Sequence, residues 1–373
     1  MEKTWFTVYG LSTEGYGTAL KALEKGYTVS IVDEKLNSPI KFSKKNLNYK
    51  SVDAFFEEEN LAEITSLDEV IAKTKYILFC PKIRCEVEEI QGYYEKMLKE
   101  ISQKIEKNSI IFFWIPLGEN GQEKIARIVY DHSGLKENEL GIIFLPPFLE
   151  PETNYIGTIG KIEEGIKFLK ELTNVNVNPL TLEKAERKFS LMVLERISRY
   201  TTQMITLSDK DISSERQHYF NDIFSYYTDL KLIYYTTKRG TQLKSFSGTL
   251  LRSIESYPKN LVNYIKSIVK EKKLKPSRVR VIVLWSKSSY HVRPDFDEAG
   301  NRFIIMLQDI FPDVQLLSSD QLLQKKLLTT FNRNTCIIVA CSENDFKALE
   351  QQSMQSRDKI MIIKATLPPS RLE

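Results

Sequence analysis

Phe6-Thr-Val-Tyr-Gly-Leu-Ser-Thr-Glu-Gly15, then a helical stretch to Gly26, then Thr28-Val-Ser-Ile-Val-Asp33, is the run from which the fold reads. Phe6 to Tyr9 is a short apolar strand. A Gly/Ser turn follows, and Ala19, Leu20, Ala22 and Leu23 repeat at helical spacing until Gly26 stops the helix. Thr28 to Val32 is a β-branched second strand. Gly10 to Gly15 therefore lies where a dinucleotide loop lies. Glycines there permit a tight turn, and the helix N-terminus offers N–H groups to a pyrophosphate. Asp33 ends the second strand about 20 residues on, where a carboxylate accepts hydrogen bonds from a ribose 2′-OH and repels a 2′-phosphate. The expected cofactor is NAD, with Gly10, Ser12, Gly15 and Asp33 as its binding residues.

Two side chains work against a tight cradle. Ser12 occupies the middle glycine position, and Glu14 puts a negative charge in a loop meant for an anion. The competing reading is a domain that has kept its sheet and lost its ligand.

Outward from this run the same alternation continues. Tyr76–Cys80, Ser109–Phe113 and Gly141–Leu145 are short, nearly continuous apolar strands separated by amphipathic stretches. That pattern belongs to a parallel sheet covered on both faces, an α/β domain. From Leu182 to Lys238 there is no Gly or Pro, and Phe189, Met192, Val193, Ile197, Tyr200, Met204 and Ile205 recur at helical spacing, which predicts one or two long helices. Tyr219, Phe220, Phe224, Tyr226, Tyr227, Tyr234 and Tyr235 add an aromatic cluster suited to helix packing or a dimer interface. Lys270 to Arg278 reads as a linker. Strands return at Val279–Trp285, Val314–Leu317, Cys336–Cys341 and Ile360–Ile363, with a helix through Phe303 to Ile310. The expected layout is an α/β dinucleotide-binding domain over 1–158, a central helical dimerisation region over 159–270 and a smaller α/β domain over 271–373.

Composition narrows the function classes. At roughly 100–200 residues per domain, 373 residues make two or three domains with ample core. Lys and Arg number 53 against 49 Asp and Glu, interleaved along the chain, which argues against a dedicated nucleic-acid binder. The longest apolar run, Ile110 to Leu117, is far short of the roughly 20 residues a membrane helix needs. Met1 to Gly10 enters a strand pattern with no cationic leader and cleavage site, so a cytoplasmic protein is expected. Cys80 with Cys85, and Cys336 with Cys341, are spaced too widely for a zinc knuckle or redox motif, and no metal is expected. His132-Ser-Gly134 reads as a helix end, and His291 as a polar-loop residue.

Taken in order, these segments resemble the UDP-glucose/GDP-mannose dehydrogenase family over most of the chain. Val8 to Val32 is similar to the family's opening, and Val32-Asp33 to its acid-ended second strand. Cys80-Pro81 resembles the remnant of its Val-Pro-Thr-Pro loop, and Ile115-Pro116-Leu117-Gly118 its Val-Pro-Pro-Gly turn. Pro146-Pro147-Phe148-Leu149 resembles its Pro-Glu-Phe-Leu, and Ala185-Glu186 the start of its central helix. Trp285 to Gly300 is similar to its Phe-Lys-Pro…Arg-Glu-Ser segment, with Lys287 and Arg293 at the two basic positions, and Ala340 to Phe346 to its late strand. The resemblance implies a Rossmann-like N-terminal domain, a central long helix that builds a homodimer (here through 182–238) and a smaller Rossmann-like C-terminal domain. It also implies NAD and a nucleotide-sugar ligand, with Lys188, Lys287 and Arg293 as substrate-binding positions.

The departures are chemical. The family oxidises an alcohol to a carboxylate in two hydride transfers, holding the aldehyde on a Cys. Here no Cys stands between Cys85 and Cys336, Pro147 replaces the catalytic Glu, and Phe113-Trp114 replaces a Ser-Thr pair. Lys188 is one residue out of register with the oxyanion-stabilising Lys, whose Asn partner is missing. Without nucleophile and acid-base group the four-electron oxidation has no agent. No catalytic residue is assigned. Three readings follow: a non-catalytic member, or pseudoenzyme, that binds NAD or a nucleotide (sugar); an NAD-dependent oxidoreductase doing a single hydride transfer; and a non-catalytic dimeric assembly protein.

Overall fold

In the computed structural model the described residues are 4–34, 39–42, 63–64, 66–146, 154–206, 218–286, 295–318, 321, 335–351, 360–367 and 369–371. The chain opens β1 (Trp5–Tyr9), α1 (Thr13–Glu24), β2 (Thr28–Val32), β3 (Ile40–Phe42), β4 (Glu63–Ile64), α2 (Leu67–Lys73) and β5 (Thr74–Phe79). It continues with α3 (Ile90–Ser102), β6 (Ile110–Phe113), α4 (Gly121–Ser133), β7 (Gly141–Phe144), β8 (Tyr155–Gly160), α5 (Glu163–Thr173) and β9 (Asn178–Thr181). These strands form one sheet in the order β4-β3-β2-β1-β5-β6-β7-β8-β9. Pairing is parallel from β2 through β7, while β3 joins β2, and β8 joins β7, antiparallel.

The apolar strands are continuous because the sheet is covered on both faces. Phe6, Val8, Val29, Ile31, Leu78 and Phe112 pack into one cluster, and Tyr9, Val32, Ile77, Phe79, Ile111 and Phe113 into another. Successive side chains thus alternate between the two faces, as the pleat requires. Residue 158, the expected end of the first domain, lies inside β8, and the sheet runs on to β9.

After β9 come α6 (Leu182–Thr206), α7 (Phe220–Phe224), α8 (Tyr227–Thr236) and α9 (Gln242–Glu271). The longest of these is α9, of 30 residues, in which Pro258 and Gly248 are buried interior positions. Its apolar stripe (Leu250, Leu251, Ile254, Leu261, Ile265 and Ile268 among others) outweighs the two residues that speak against a helix. Among the described residues, the break-free run from Leu182 to Lys238 holds three helices where one or two long ones were expected.

The chain ends with β10 (Val279–Leu284), α10 (Asp295–Gln308), β11 (Asp313–Leu317), β12 (Thr335–Ala340), α11 (Glu343–Gln351), β13 (Ile360–Lys364) and β14 (Ser370–Arg371). They form a second sheet, β11-β10-β12-β13-β14, parallel except at β14. The structure divides into two compact units. The first takes residues up to Met192 with Leu232–Thr237, and the second takes Val193–Lys231, 238–286 and the described residues from Asp295 on. Phe220 of α7 packs within the second unit edge-on against Trp285 and tilted against Tyr257 and Phe303, with ring centroids 5.1, 5.8 and 5.5 Å away. Tyr219, Phe224, Tyr226 and Tyr227 are buried as well, so most of the aromatic cluster is core.

Candidate functional site

In the first sheet the connection after β1 leads to β2 on one side, while β5 and β6 follow on the other. Ligands of open α/β sheets bind at such a reversal, outside the carboxyl ends of the strands. Gly10–Ser12 after β1 and Cys80–Pro81 after β5 frame that crevice. Gly10 has φ +113°, and a Cβ there would overlap the Pro81 backbone, so only glycine fits. At Gly15 a Cβ would lie 2.6 Å from both Cys80 Sγ and Gly10 O. The two glycines let the loop close on the Cys80–Pro81 segment.

Ser12 has a role that reading it against a glycine pattern overlooks. It is fully buried and N-caps α1, its Oγ accepting the Gly15 N–H at 3.0 Å. The hydroxyl is turned into the first helical turn, and its spacing before Gly15 was the signal available in the sequence. Glu14 is also buried, in that same turn, where the helix dipole favours an acid.

Asp33 joins this loop directly. Leu11 N donates to Asp33 Oδ2 at 2.7 Å, and Arg84 Nη2 lies 3.2 Å from Oδ1. Arg84 Nη1 reaches Glu34 Oε2 at 3.1 Å. The Tyr93 hydroxyl stands 3.1 Å from that same Glu34 oxygen and 2.9 Å from Lys82 O, and donates to one of them at a time. Burial opposes the Arg84 charge, but Asp33 and Glu34 outweigh it and hold the guanidinium above its ordinary pKa. Arg84 stands 51 residues from Asp33 in the chain, too far for local spacing to reveal the pair.

Gly10, Ser12, Gly15 and Asp33 are thus brought together. Lys188 is not with them. It stands on α6 with Nζ 4.4 Å from the ring centroid of Tyr155 in β8, four strand spacings or about 19 Å across the sheet from β1. Lys287 and Arg293, with Pro147 and His291, lie outside the described residues. Phe113 stacks on Phe144 at 4.9 Å, and Trp114 N donates to Phe79 O, so this pair belongs to the sheet and its core. Gly134, with φ +66°, ends α4 as its C-cap. Glu186 accepts the Asn120 and Gln122 N–H groups at the start of α4, a cap supplied from distant sequence.

No thiol is prepared for attack. Burial, with Glu89 and Glu86, pushes Cys85 up to about 11, burial pushes Cys336 up to about 12, and burial raises Cys80 and Cys341 well above the ordinary thiol range. Among the described residues no group of three or more His, Cys, Asp or Glu could hold a metal ion, and no helix is long and apolar enough to cross a membrane.

The second sheet reverses direction between β10 and β12. There Asp345, fully buried at the start of α11, accepts from Ser286 N at 3.2 Å, from Ser342 Oγ at 2.6 Å and from Ser286 Oγ. Burial raises its carboxyl above the usual aspartate range, although these hydrogen bonds pull the other way.

No family model matches the chain, and no curated protein matches it. Solved structures do. A UDP-D-ManNAc dehydrogenase from Pyrococcus horikoshii is similar at TM-score 0.61 and 13% identity, over 96% of this chain and 93% of that one. A UDP-glucose dehydrogenase from Pyrobaculum islandicum gives 0.60 and 12%, over 97% and 94%. A UDP-N-acetyl-mannosamine dehydrogenase from S. aureus gives 0.53 and 13%, over 92% of each. The chain has the fold of the UDP-sugar dehydrogenases. That likeness spans nearly the whole chain and bears out the expected α/β, Rossmann-like architecture.

Proposed function

We infer that this is a nucleotide-sugar-dehydrogenase-like protein that binds a nicotinamide dinucleotide, NAD first, without performing the four-electron oxidation. The observation that carries the reading is the Gly10–Gly15 loop latched to Asp33 at the sheet reversal, beside an α1 N-terminus that favours phosphate. The frame fits a dinucleotide: glycine where a Cβ would collide, a capped helix start and a carboxylate at the end of β2. A bound dinucleotide would supply hydride-transfer chemistry; this chain's residues would orient it. The protonated thiols and the core position of Phe113 support a pseudoenzyme. A nucleotide sugar as second ligand, a homodimer through 182–238 and a cytoplasmic location belong to the same reading.

The test is calorimetric titration with NAD, joined to an assay of NADH formation at 340 nm with UDP-glucose and GDP-mannose. NAD binding with no uronate is expected. Two NADH per sugar would overturn the pseudoenzyme reading, a single NADH would favour one hydride transfer, and failure to bind any nucleotide would favour the assembly role.

A further inference from the structure

We propose that the exposed face of α9 binds the phosphate backbone of a nucleic-acid duplex without reading its sequence. Between Lys238 and Arg280 the chain carries twelve Lys and Arg against two Asp and Glu, while the rest carries 41 against 47. The near balance of the whole chain hides this concentration. In α9, Arg252, Lys259 and Lys266 recur every seven residues, Lys270 follows one turn on, and all four are exposed. At about 100° per residue they fall within an arc of about 40°, and the first three stand about 10.5 Å apart along the helix.

Cations on a solvated helix are ordinarily matched by acids one turn away, and elsewhere in this protein they are. On α2, α3, α6, α10 and α11 an exposed Lys or Arg pairs with a Glu four residues off. Among the described residues, no carboxylate pairs with Arg252, Lys259, Lys266 or Lys270. Of the two acids in α9, Glu255 accepts the Tyr227 hydroxyl at 2.8 Å and Glu271 is the last helical residue. The line therefore keeps its attraction for an outside polyanion and repels a second copy of itself.

The surroundings of the line select the polyanion. A helix lying on a membrane sets apolar side chains into the lipid beside its cations. Here the apolar stripe of α9 is buried, and Phe246, its exposed large apolar residue, stands about a third of a turn from the line. Single strands are held by stacking on aromatic rings, which the line lacks. A duplex backbone asks only for cations and small polar side chains. Asn263 offers an amide to phosphate between Lys259 and Lys266, and Ser256 is small enough for close approach.

The experiment follows the fluorescence anisotropy of a labelled DNA duplex of about 20 base pairs, and of its RNA counterpart, titrated with the full chain at roughly 50 and 200 mM salt. Four phosphate contacts, each adding about 0.9 to the logarithmic salt slope, should weaken binding about 100-fold between those salts. Lys259→Gln with Lys266→Gln is expected to lower the slope by about two and to weaken low-salt binding at least about tenfold. Lys99→Gln with Lys347→Gln removes two ion-paired cations from α3 and α11 and is expected to leave binding within about twofold. Melting curves confirm that both variants are folded. No binding of either duplex at low salt, or equal weakening by the two variants, overturns the proposal. Tighter binding to vesicles of phosphatidylserine and phosphatidylcholine than to both duplexes also overturns it and assigns the face to a membrane. None of these outcomes bears on the dinucleotide site, which calorimetry with NAD reads separately.

Discussion

Leu11 N donates to Asp33 Oδ2 at 2.7 Å, across 22 residues, and so latches the loop after β1 to the end of β2. The acid that spacing assigns to a ribose is first of all a structural acceptor, and its second oxygen holds Arg84. The loop conformation is thereby fixed before any ligand arrives, which is what pre-organisation for binding requires.

Asp33→Ala is therefore expected to weaken NAD binding and to lower stability together. It leaves the buried Leu11 N–H without its acceptor and Arg84 without one partner, a loss of roughly 2–3 kcal/mol after discounting for the exposure of Arg84. Urea unfolding followed by circular dichroism measures it. A change below about 0.5 kcal/mol, the size usual for neutral surface substitutions, would refute the latch.

Gly15→Ala should be destabilising by about 1–3 kcal/mol, the usual range for overpacking a filled core. The added Cβ meets Cys80 Sγ and Gly10 O, both 2.6 Å away. Cys80→Ala removes one of these obstacles, so the double variant should recover part of the loss and no more. Full additivity in a double-mutant cycle would mean that the loop does not pack on Cys80.

Thiol labelling with a chromogenic disulfide should be slow at pH 8. Cys85 is half-buried and pushed up to about 11, so about one molecule in a thousand carries its thiolate there. The other three thiols should react only on unfolding. Fast stoichiometric labelling of the native protein would reveal an activated cysteine.

Asp345 links stability to pH. Burial raises its folded pKa above the unfolded value, so its contribution is complete below the ordinary aspartate range and is lost as pH rises through the raised folded value. Asp345→Asn cannot ionise and mismatches the Ser286 and Ser342 donors, at about 1–3 kcal/mol. The deficit of the variant should be largest near pH 4 and narrow toward pH 7. A deficit that widens with pH contradicts the sign.

The proposed homodimer would show in light scattering as a mass near twice 43.3 kDa. Tyr200 is buried within the chain, so a charge there tests folding instead of association. Leu191 and Tyr235, 58% and 43% exposed on α6 and α8, are the apolar positions to change. Leu191→Glu with Tyr235→Glu should give a folded monomer if the interface uses these helices. A wild-type monomer at micromolar concentration would dismiss the dimer.

The sequence by itself determined the parallel sheets, because continuous apolar strands separated by amphipathic stretches have few other ways to bury both faces. It likewise placed Gly10, Gly15 and Asp33 together, since a strand, a tight turn, a helix and a second strand constrain one another locally. Within the expected helical region the bounds of α9 were not legible from local propensity: it runs through Gly248 and Pro258 because its apolar stripe is buried along its length. Only the tertiary structure turned Ser12 into a cap, Asp33 inward, and Arg84 onto Asp33 and Glu34. Those are contacts between groups 22, 50 or 51 residues apart, or a rotamer choice within a buried turn, and neither leaves a periodic trace in a sequence.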